Sequence, residues 1–357
     1  MQIAVQNSIS KRSFRDKLLH LLGLTNKPFI RVYHGYGHAG QLNLHGHVLR
    51  SGPLPRKKYS KSVVRNTLAL LRLFLVKPYA NVTVQMTWMG QIYSACTDTD
   101  GFFSIGWKDE TFTKKGWYEV EVSALINGEL IATEKGGVYI PFETQYGFIS
   151  DIDDTFLISH SANLRKRLFV LFTENARSRK PFEGVVKHYQ LLAQSHTTAD
   201  APNPFFYISS SEWNLYDYIL EFTRINKIPE GVFLLNQLKL FRQLLKTGHN
   251  NHETKFARIV RILEHYPKQR FVLLGDSSQQ DPYIYQAIVK HFPDQIYAVY
   301  IRDIYETNRI KVAEVLQSIE SNGIPCCFFK HSLDAAKHSQ KIGLISEREL
   351  NEAYQLS

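Results

Sequence analysis

The sequence predicts an α/β fold in two parts: an all-β, sandwich-like domain, then a parallel sheet with helices on both faces and a small helical cap. Three observations carry this expectation. From about Pro28 to Phe142, short runs rich in Val, Tyr, Thr and Phe are divided by Gly, Asn and Asp, with period-two alternation at Tyr118, Val120 and Val122. After "IPFETQYG" the rhythm changes to short, fully apolar strands separated by amphipathic helices, the pattern of βαβ units. The chain of 357 residues, 44% hydrophobic, is long enough to bury the cores of two or three domains.

Residues 1–27 read as an N-terminal extension. Within "SKRSFRDKLLHLLGL" a helix gathers Phe14, Leu18, Leu19, Leu21 and Leu22 near one side and leaves Lys11, Arg12, Arg15 and Lys17 elsewhere. Such a helix suits an anionic membrane surface or, more commonly, the protein's own body. It has no uninterrupted apolar core and no small-residue cleavage site, so a signal peptide is not expected. Residues 28–143 form the β-rich domain, in which "VVRNTLALLRLFL" is a helix or an apolar connection. Its run Thr67 to Val76 is about half of a membrane span and is broken by Arg72. "TDTDGFF" resembles a calcium loop only superficially. Cys96 stands where the first Asp is needed and no Glu occupies the twelfth position, so a tight Asp-Gly turn is expected.

Residues 144–340 read as the catalytic domain and 341–357 as a C-terminal tail or helix. Here "GFIS" runs into Asp151, "PFFYISS" precedes the helical "EWNLYDYILEFTRI", and "RFVLLGD" follows the helix "HETKFARIVRILEHYP". Ligands of open α/β sheets bind beyond the carboxyl ends of the strands. That rule gathers Asp151, Asp153, Ser209, Ser210, Asp276 and Asp281 on one edge, with Lys255 at the start of a helix. Clustered carboxylates repel and are costly to desolvate, so they call for a cation, and hard oxygen ligands suit Mg2+. A metal, a hydroxyl and an ammonium together make a phosphoryl-binding set. Plainer roles stand beside these: a turn or cap for Asp154, a helix N-cap for the serines, a solvated face for Lys255, and surface positions for His249 and His252.

At this point the motifs carry a resemblance. "DIDDT" matches the DxDxT signature of the haloacid dehalogenase-like (HAD) hydrolases, and "FYISSS", Lys255 and "GDSSQQD" resemble that superfamily's later motifs in order. More narrowly, "ISDIDDT", "YISSSEWNLYDYI", "KFARIVRIL", "FVLLGDSSQQDPYIY" and "VYIRDI" resemble the catalytic domain of the actin-patch-associated phosphatidate phosphatase family and its bacterial relatives, over about residues 146 to 305. The resemblance implies a HAD-like Rossmannoid fold. It makes Asp151 nucleophile and metal ligand, and Asp153 acid, base and carbonyl ligand of the metal. Asp276 becomes a further metal ligand and Asp281 its second-layer support, with Thr155, Ser209, Ser210 and Lys255 on the phosphate. The run Ser-Ser-Ser-Glu departs from relatives that carry a proline before the tryptophan, which leaves open which serine faces the site.

The implied function is a Mg2+-dependent phosphomonoesterase working through an aspartyl-phosphate, with phosphatidate or a related lipid phosphate as substrate. Alternatives keep the chemistry on a soluble phosphoester or a nucleic-acid end, or retain the fold as a lipid-binding adaptor without catalysis. The intact set of Asp151, Asp153, Lys255 and Asp276 argues against the last. A net charge of +10 favours phosphate-bearing partners, whether anionic membrane, nucleic acid or metabolite. Cys96, Cys326 and Cys327 form no disulfide framework, which points to a cytoplasmic protein, soluble or peripheral at the membrane. The cap, about residues 156–203, mixes Arg165, Lys166, Arg167, Arg177, Arg179 and Lys180 with Leu168, Phe169, Leu171 and Phe172. That surface either docks on anionic lipid or packs on the core. The oligomeric state is left open.

Overall fold

In the computed structural model the described residues are 27–38, 40–51, 76–111, 114–153, 155, 180–236 and 251–355, with only the backbone of 251–254. The N-terminal extension, the apolar stretch at 52–75, Asp154, His249, the His252 side chain and cap residues 156–179 lie outside them. Among the described residues no helix is long and apolar enough to cross a membrane.

Among the described residues, alternating apolar and polar positions build nine strands before residue 141: β1 (Phe29–Val32), β2 (Gly35–His38), β3 (Gln41–Ser51), β4 (Lys77–Pro78), β5 (Thr83–Trp88), β6 (Gln91–Cys96), β7 (Phe102–Trp107), β8 (Gly116–Ile126) and β9 (Glu129–Ile140). They link in the order β1-β3-β2-β9-β8-β5-β6, and the long β3 also pairs with β4 and β7. The inward set Leu42, Leu44, Val84, Met86, Phe103, Ile105, Val120 and Val122 forms the core of this domain. The Asp-Gly turn is as expected. Asp98 Oδ1 accepts from the backbone N–H groups of Asp100 and Phe102, and Gly101 adopts φ +73°.

The second unit is a six-stranded parallel sheet, ordered β12-β11-β10-β13-β14-β15. Its strands are β10 (Tyr146–Asp151), β11 (Phe205–Glu212), β12 (Gly231–Asn236), β13 (Arg270–Asp276), β14 (Ile296–Arg302) and β15 (Cys326–Phe329). The helices are α1 (Val185–Ala193), α2 (Tyr216–Ile225), α3 (Asn251–His265), α4 (Asp281–His291), α5 (Arg309–Glu320), α6 (Ser332–Lys341) and α7 (Glu347–Tyr354). Strand alternation feeds two cores. Phe148, Phe205 and Tyr207 face one side with α1, α2, α6 and α7, while Ile149, Phe206 and Ile208 face the other with α3, α4 and α5. The described part of the expected cap differs from expectation. Val185, Tyr189 and Leu192 of α1 are buried in the first core, so this stretch is a layer of the domain. The tail is fastened too, since Leu350 is buried and the Tyr354 hydroxyl donates to the Gly184 carbonyl at 2.8 Å.

The β-rich domain grips the start of the edge strand β12 with the segment around β1 and β2. Tyr33 enters one core of the second unit and Tyr36 the other. Between them His34 Nδ1 donates to the Gly231 carbonyl at 3.0 Å, and its backbone N–H donates to the Tyr216 hydroxyl at 3.1 Å. Arg31 pairs with Asp217 at 2.8 Å. Edge carbonyls left bare invite unwanted pairing, and this clasp covers that edge.

Candidate active site

The central strand β10 ends on Asp151, and its neighbour β13 ends on Asp276. Parallel pairing of adjacent strands therefore brings the two aspartates to one edge, as the fold class requires. Asp151, Asp153, Asp276 and Asp281 are all buried, and each offers a carboxylate. Ile152 lies in the core between the first two, consistent with alternation at the strand end. Gly275 is needed where it stands. A Cβ there would come within 2.6 Å of Asp281 Oδ2 and 2.9 Å of the Tyr285 ring, so the first turn of α4 reaches the strand end only over a glycine.

Lys255, in the first half of α3, points into the cluster. Its buried Nζ lies 2.8 Å from Asp151 Oδ1 and also pairs with Asp281 Oδ1. Burial works against the ammonium, but Asp151 and Asp281 outweigh it and hold the group above the ordinary lysine range. Asp151 moves upward as well: burial is the largest cause, Lys255 opposes it, and Asp281, Asp276 and Asp153 reinforce it. Four carboxylates against one ammonium leave the buried site with an excess of negative charge.

The oxygens are disposed to share a cation. One ligand atom from each of Asp151, Asp276 and Asp281 falls within a 4.8 Å group. Both Asp281 oxygens already have partners, Lys255 on Oδ1 and the Asp276 N–H on Oδ2 at 3.3 Å. A different trio converges on one point: Asp151 Oδ2, the Asp153 carbonyl and Asp276 Oδ2 each lie 3.5 Å from Gln279 Nε2. At that length these are weak hydrogen bonds. Two carboxylates and a carbonyl around one point are a donor set that fits a hard divalent ion, with Asp281 behind it.

The predicted phosphate-binding residues are close by, in two arrangements. Thr155 Oγ1 donates to Asp151 Oδ2 at 3.3 Å, and its carbonyl accepts from the buried Arg302 Nε at 2.9 Å. Ser209 and Ser211 both donate to Asp153 Oδ2, at 2.8 and 2.6 Å. Ser210, the most accessible of the three, donates to Gln279 Oε1 at 3.2 Å. All three serines lie where the β11–β12 register breaks between Ile208 and Glu212. The break is held on one side by Arg258 Nη1, which donates to the Ser209 carbonyl at 3.1 Å. Sequence reasoning left Ser211 open among the three serines and missed Gln279, Arg258 and Arg302. Only Gln279 had a signal, its place in the loop between the two motif aspartates.

Comparison with known proteins follows the same residues. Residues 146–303 match the family model described as "Phosphatidate phosphatase APP1, catalytic domain". The phosphatidate phosphatase APP1 of Saccharomyces cerevisiae is 33% identical over 157 residues, 44% of this chain and 25% of that protein. An uncharacterized protein of Schizosaccharomyces pombe is 21% identical over 221 residues, 59% of this chain and 34% of that protein. The match thus spans a quarter to a third of the length of these curated relatives. Among solved structures, a bacterial immunoglobulin-like domain of the M. primoryensis ice-binding adhesin overlaps 32% of this chain and 96% of that chain, at 10% identity and a TM-score of 0.17. A β-glucuronidase from Ruminococcus gnavus overlaps 86% and 54%, at 8% identity and a TM-score of 0.27. Likenesses this low carry no argument. The motifs, the site geometry and the sequence match agree: residues 146–303 are similar to the catalytic domain of the phosphatidate phosphatase APP1.

Proposed function

We propose that this protein is a Mg2+-dependent phosphomonoesterase acting through an aspartyl-phosphate at Asp151, with phosphatidate or a related lipid phosphate as substrate. The observation that carries the proposal is the convergence of Asp151 Oδ2, the Asp153 carbonyl and Asp276 Oδ2 on one point, with the Lys255 ammonium on the other Asp151 oxygen. These three oxygens would hold Mg2+, which when bound offsets the negative charge of the cluster and of the transferring phosphoryl group.

The protein's own groups then divide the work. An Asp151 oxygen attacks phosphorus, the phosphorus–alkoxide bond breaks, and Asp153 gives its proton to the departing oxygen. Asp153 next takes a proton from the water that attacks the aspartyl-phosphate, which frees inorganic phosphate and restores both carboxyl groups. The Ser209 and Ser211 hydroxyls on Asp153 Oδ2 fix the orientation of that carboxyl group. Lys255 and the more accessible Ser210 are the groups set to meet phosphoryl oxygens, with Thr155 beside Asp151.

Two observations support a lipid over a soluble ester. Residues 146–303 are similar to a phosphatidate phosphatase catalytic domain. In addition, Tyr283, Tyr305 and Ile310 are exposed large hydrophobic residues near the N-terminal ends of α4 and α5, on the edge where β13 and β14 end. Side chains of this kind beside Arg309 and Lys311 suit a headgroup boundary. The test is a panel of phosphate monoesters with Mg2+, combined with flotation on vesicles of neutral and anionic lipid. Phosphate release from phosphatidate vesicles above all soluble esters is expected. No release from any monoester defeats the phosphatase proposal, and absence of vesicle binding at moderate salt defeats its lipid version.

A further inference from the structure

We infer that the β-rich domain is part of the catalytic apparatus: Tyr33 is a positioning residue for Asp153, acting through Trp213 and the serine segment between them. The inference rests on the phosphatase proposal above and assigns a role to a domain whose described residues supply none of the reacting groups named there.

Tyr33 lies between β1 and β2, yet its ring is buried inside the second unit. It stacks on Trp213 with ring centroids 3.7 Å apart and planes 12° from parallel. Its hydroxyl is bonded to His47 Nδ1 of β3 at 2.8 Å, so the ring is fixed from its own domain. Trp213 is the residue immediately after β11, directly beyond Ser209–Ser211. Those serines form an irregular stretch between two ladder pairs, Ile208 with Leu234 and Glu212 with Asn236, so the sheet fixes its ends and leaves the three residues between them unpaired in the ladder. Within those limits Arg258 holds the Ser209 carbonyl, and Trp213, next after the Glu212 pair, is seated on Tyr33. Two serine hydroxyls, at 2.8 and 2.6 Å, then aim the single oxygen Asp153 Oδ2. Among the other interdomain contacts, Arg31 with Asp217, the His34 ring with Gly231 and Asn43 with His265 touch none of these groups, whereas Tyr216, which accepts from the His34 N–H, packs on both Tyr33 and Trp213. The Arg31 contact with Asp217 can therefore be removed without touching the groups that lead to Asp153.

A displaced Asp153 penalises a substrate in proportion to its need for a proton on the leaving oxygen. p-Nitrophenolate leaves without one, whereas the alkoxide of a soluble short-chain phosphatidate does not. The experiment compares kcat/KM for these two esters, which reports the first phosphoryl transfer, in the full chain and in Tyr33→Ala, Tyr33→Phe and Arg31→Ala. In Tyr33→Ala the alkyl ester is expected to lose roughly tenfold to a hundredfold more than the aryl ester. Tyr33→Phe, which keeps the stack, is expected to stay near the parent ratio, as is Arg31→Ala. Both substrates are measured on one sample, so a smaller folded fraction cancels from the ratio; if Tyr33→Ala does not fold, Trp213→Phe takes its place, with the same sign. Equal losses on the two esters, or none, overturn the inference alone. A parent protein inactive on both overturns the phosphatase proposal and this inference with it.

Discussion

Replacing Lys255 by methionine removes the ammonium that sits among four buried carboxylates and leaves a side chain of similar length. Nζ is 2.8 Å from Asp151 Oδ1, which at an effective dielectric of about 20 corresponds to an attraction of about 6 kcal/mol. The contact with Asp281 adds a second of the same sign. Desolvation of the ammonium offsets much of this, and breaking a buried pair by removing one partner costs about 3–5 kcal/mol. At about 2–4 °C per kcal/mol for a unit of this size, Lys255→Met should melt roughly 6–20 °C below the parent in EDTA. Mg2+ should then raise the variant more than the parent, because the variant's site is more negative. Binding at a hundredfold excess over Kd is worth roughly 2.7 kcal/mol. Thermal unfolding followed by circular dichroism, with EDTA and with Mg2+, measures both effects. A variant melting within about 2 °C of the parent in EDTA refutes the charge argument. If Mg2+ moves neither protein, the cation assignment fails.

Three further outcomes follow from the same geometry. Asp151→Asn should melt above the parent in EDTA at neutral pH, because burial raises the native-state pKa of Asp151, so that keeping it ionised costs stability once pH exceeds the ordinary carboxylate range; a lower melting temperature contradicts this. Gly275→Ala should keep the fold and weaken Mg2+ binding measured by calorimetry, since the new Cβ pushes on Asp281; unchanged affinity speaks against the close approach at the strand end. Burial lowers His47 to about 4 and His188 to about 3, from an unfolded value of 6.5. Their contribution is complete above pH 6.5 and is lost as pH falls toward 4, about 3 kcal/mol for each, and a His188→Gln protein should show a shallower fall in melting temperature over that window.

Much of the second unit was legible because each of its signals is local. "GFISD", "FFYIS" and "RFVLLGD" are apolar runs closed by polar residues, and the parallel topology converts three such closures into one edge. The Asp-Gly turn at Gly101 was legible for the same reason: its geometry depends on four consecutive residues. What escaped is set by distant partners. Nothing near Tyr33 in the chain tells that its ring packs on Trp213, 180 residues later, or that Tyr36 belongs to the opposite core. Ser209 was expected on the phosphate, but the register break turns its hydroxyl and that of Ser211 toward Asp153. Arg258 and Arg302 look like ordinary helix and strand cations until the carbonyls they meet, those of Ser209 and Thr155, are in place. Helix α1 falls within the expected cap because it follows the first motif, but its apolar stripe packs on the sheet.

In the proposed reaction Asp151 is the group to which the phosphoryl moiety is transferred. Release of inorganic phosphate from phosphatidate vesicles in Mg2+, by the parent and by Asp151→Asn under identical conditions, tests it most directly. Release by the parent, suppression by EDTA and a loss of several orders of magnitude in Asp151→Asn, although that variant is folded, are expected. Phosphate release by Asp151→Asn at the parental rate would contradict it.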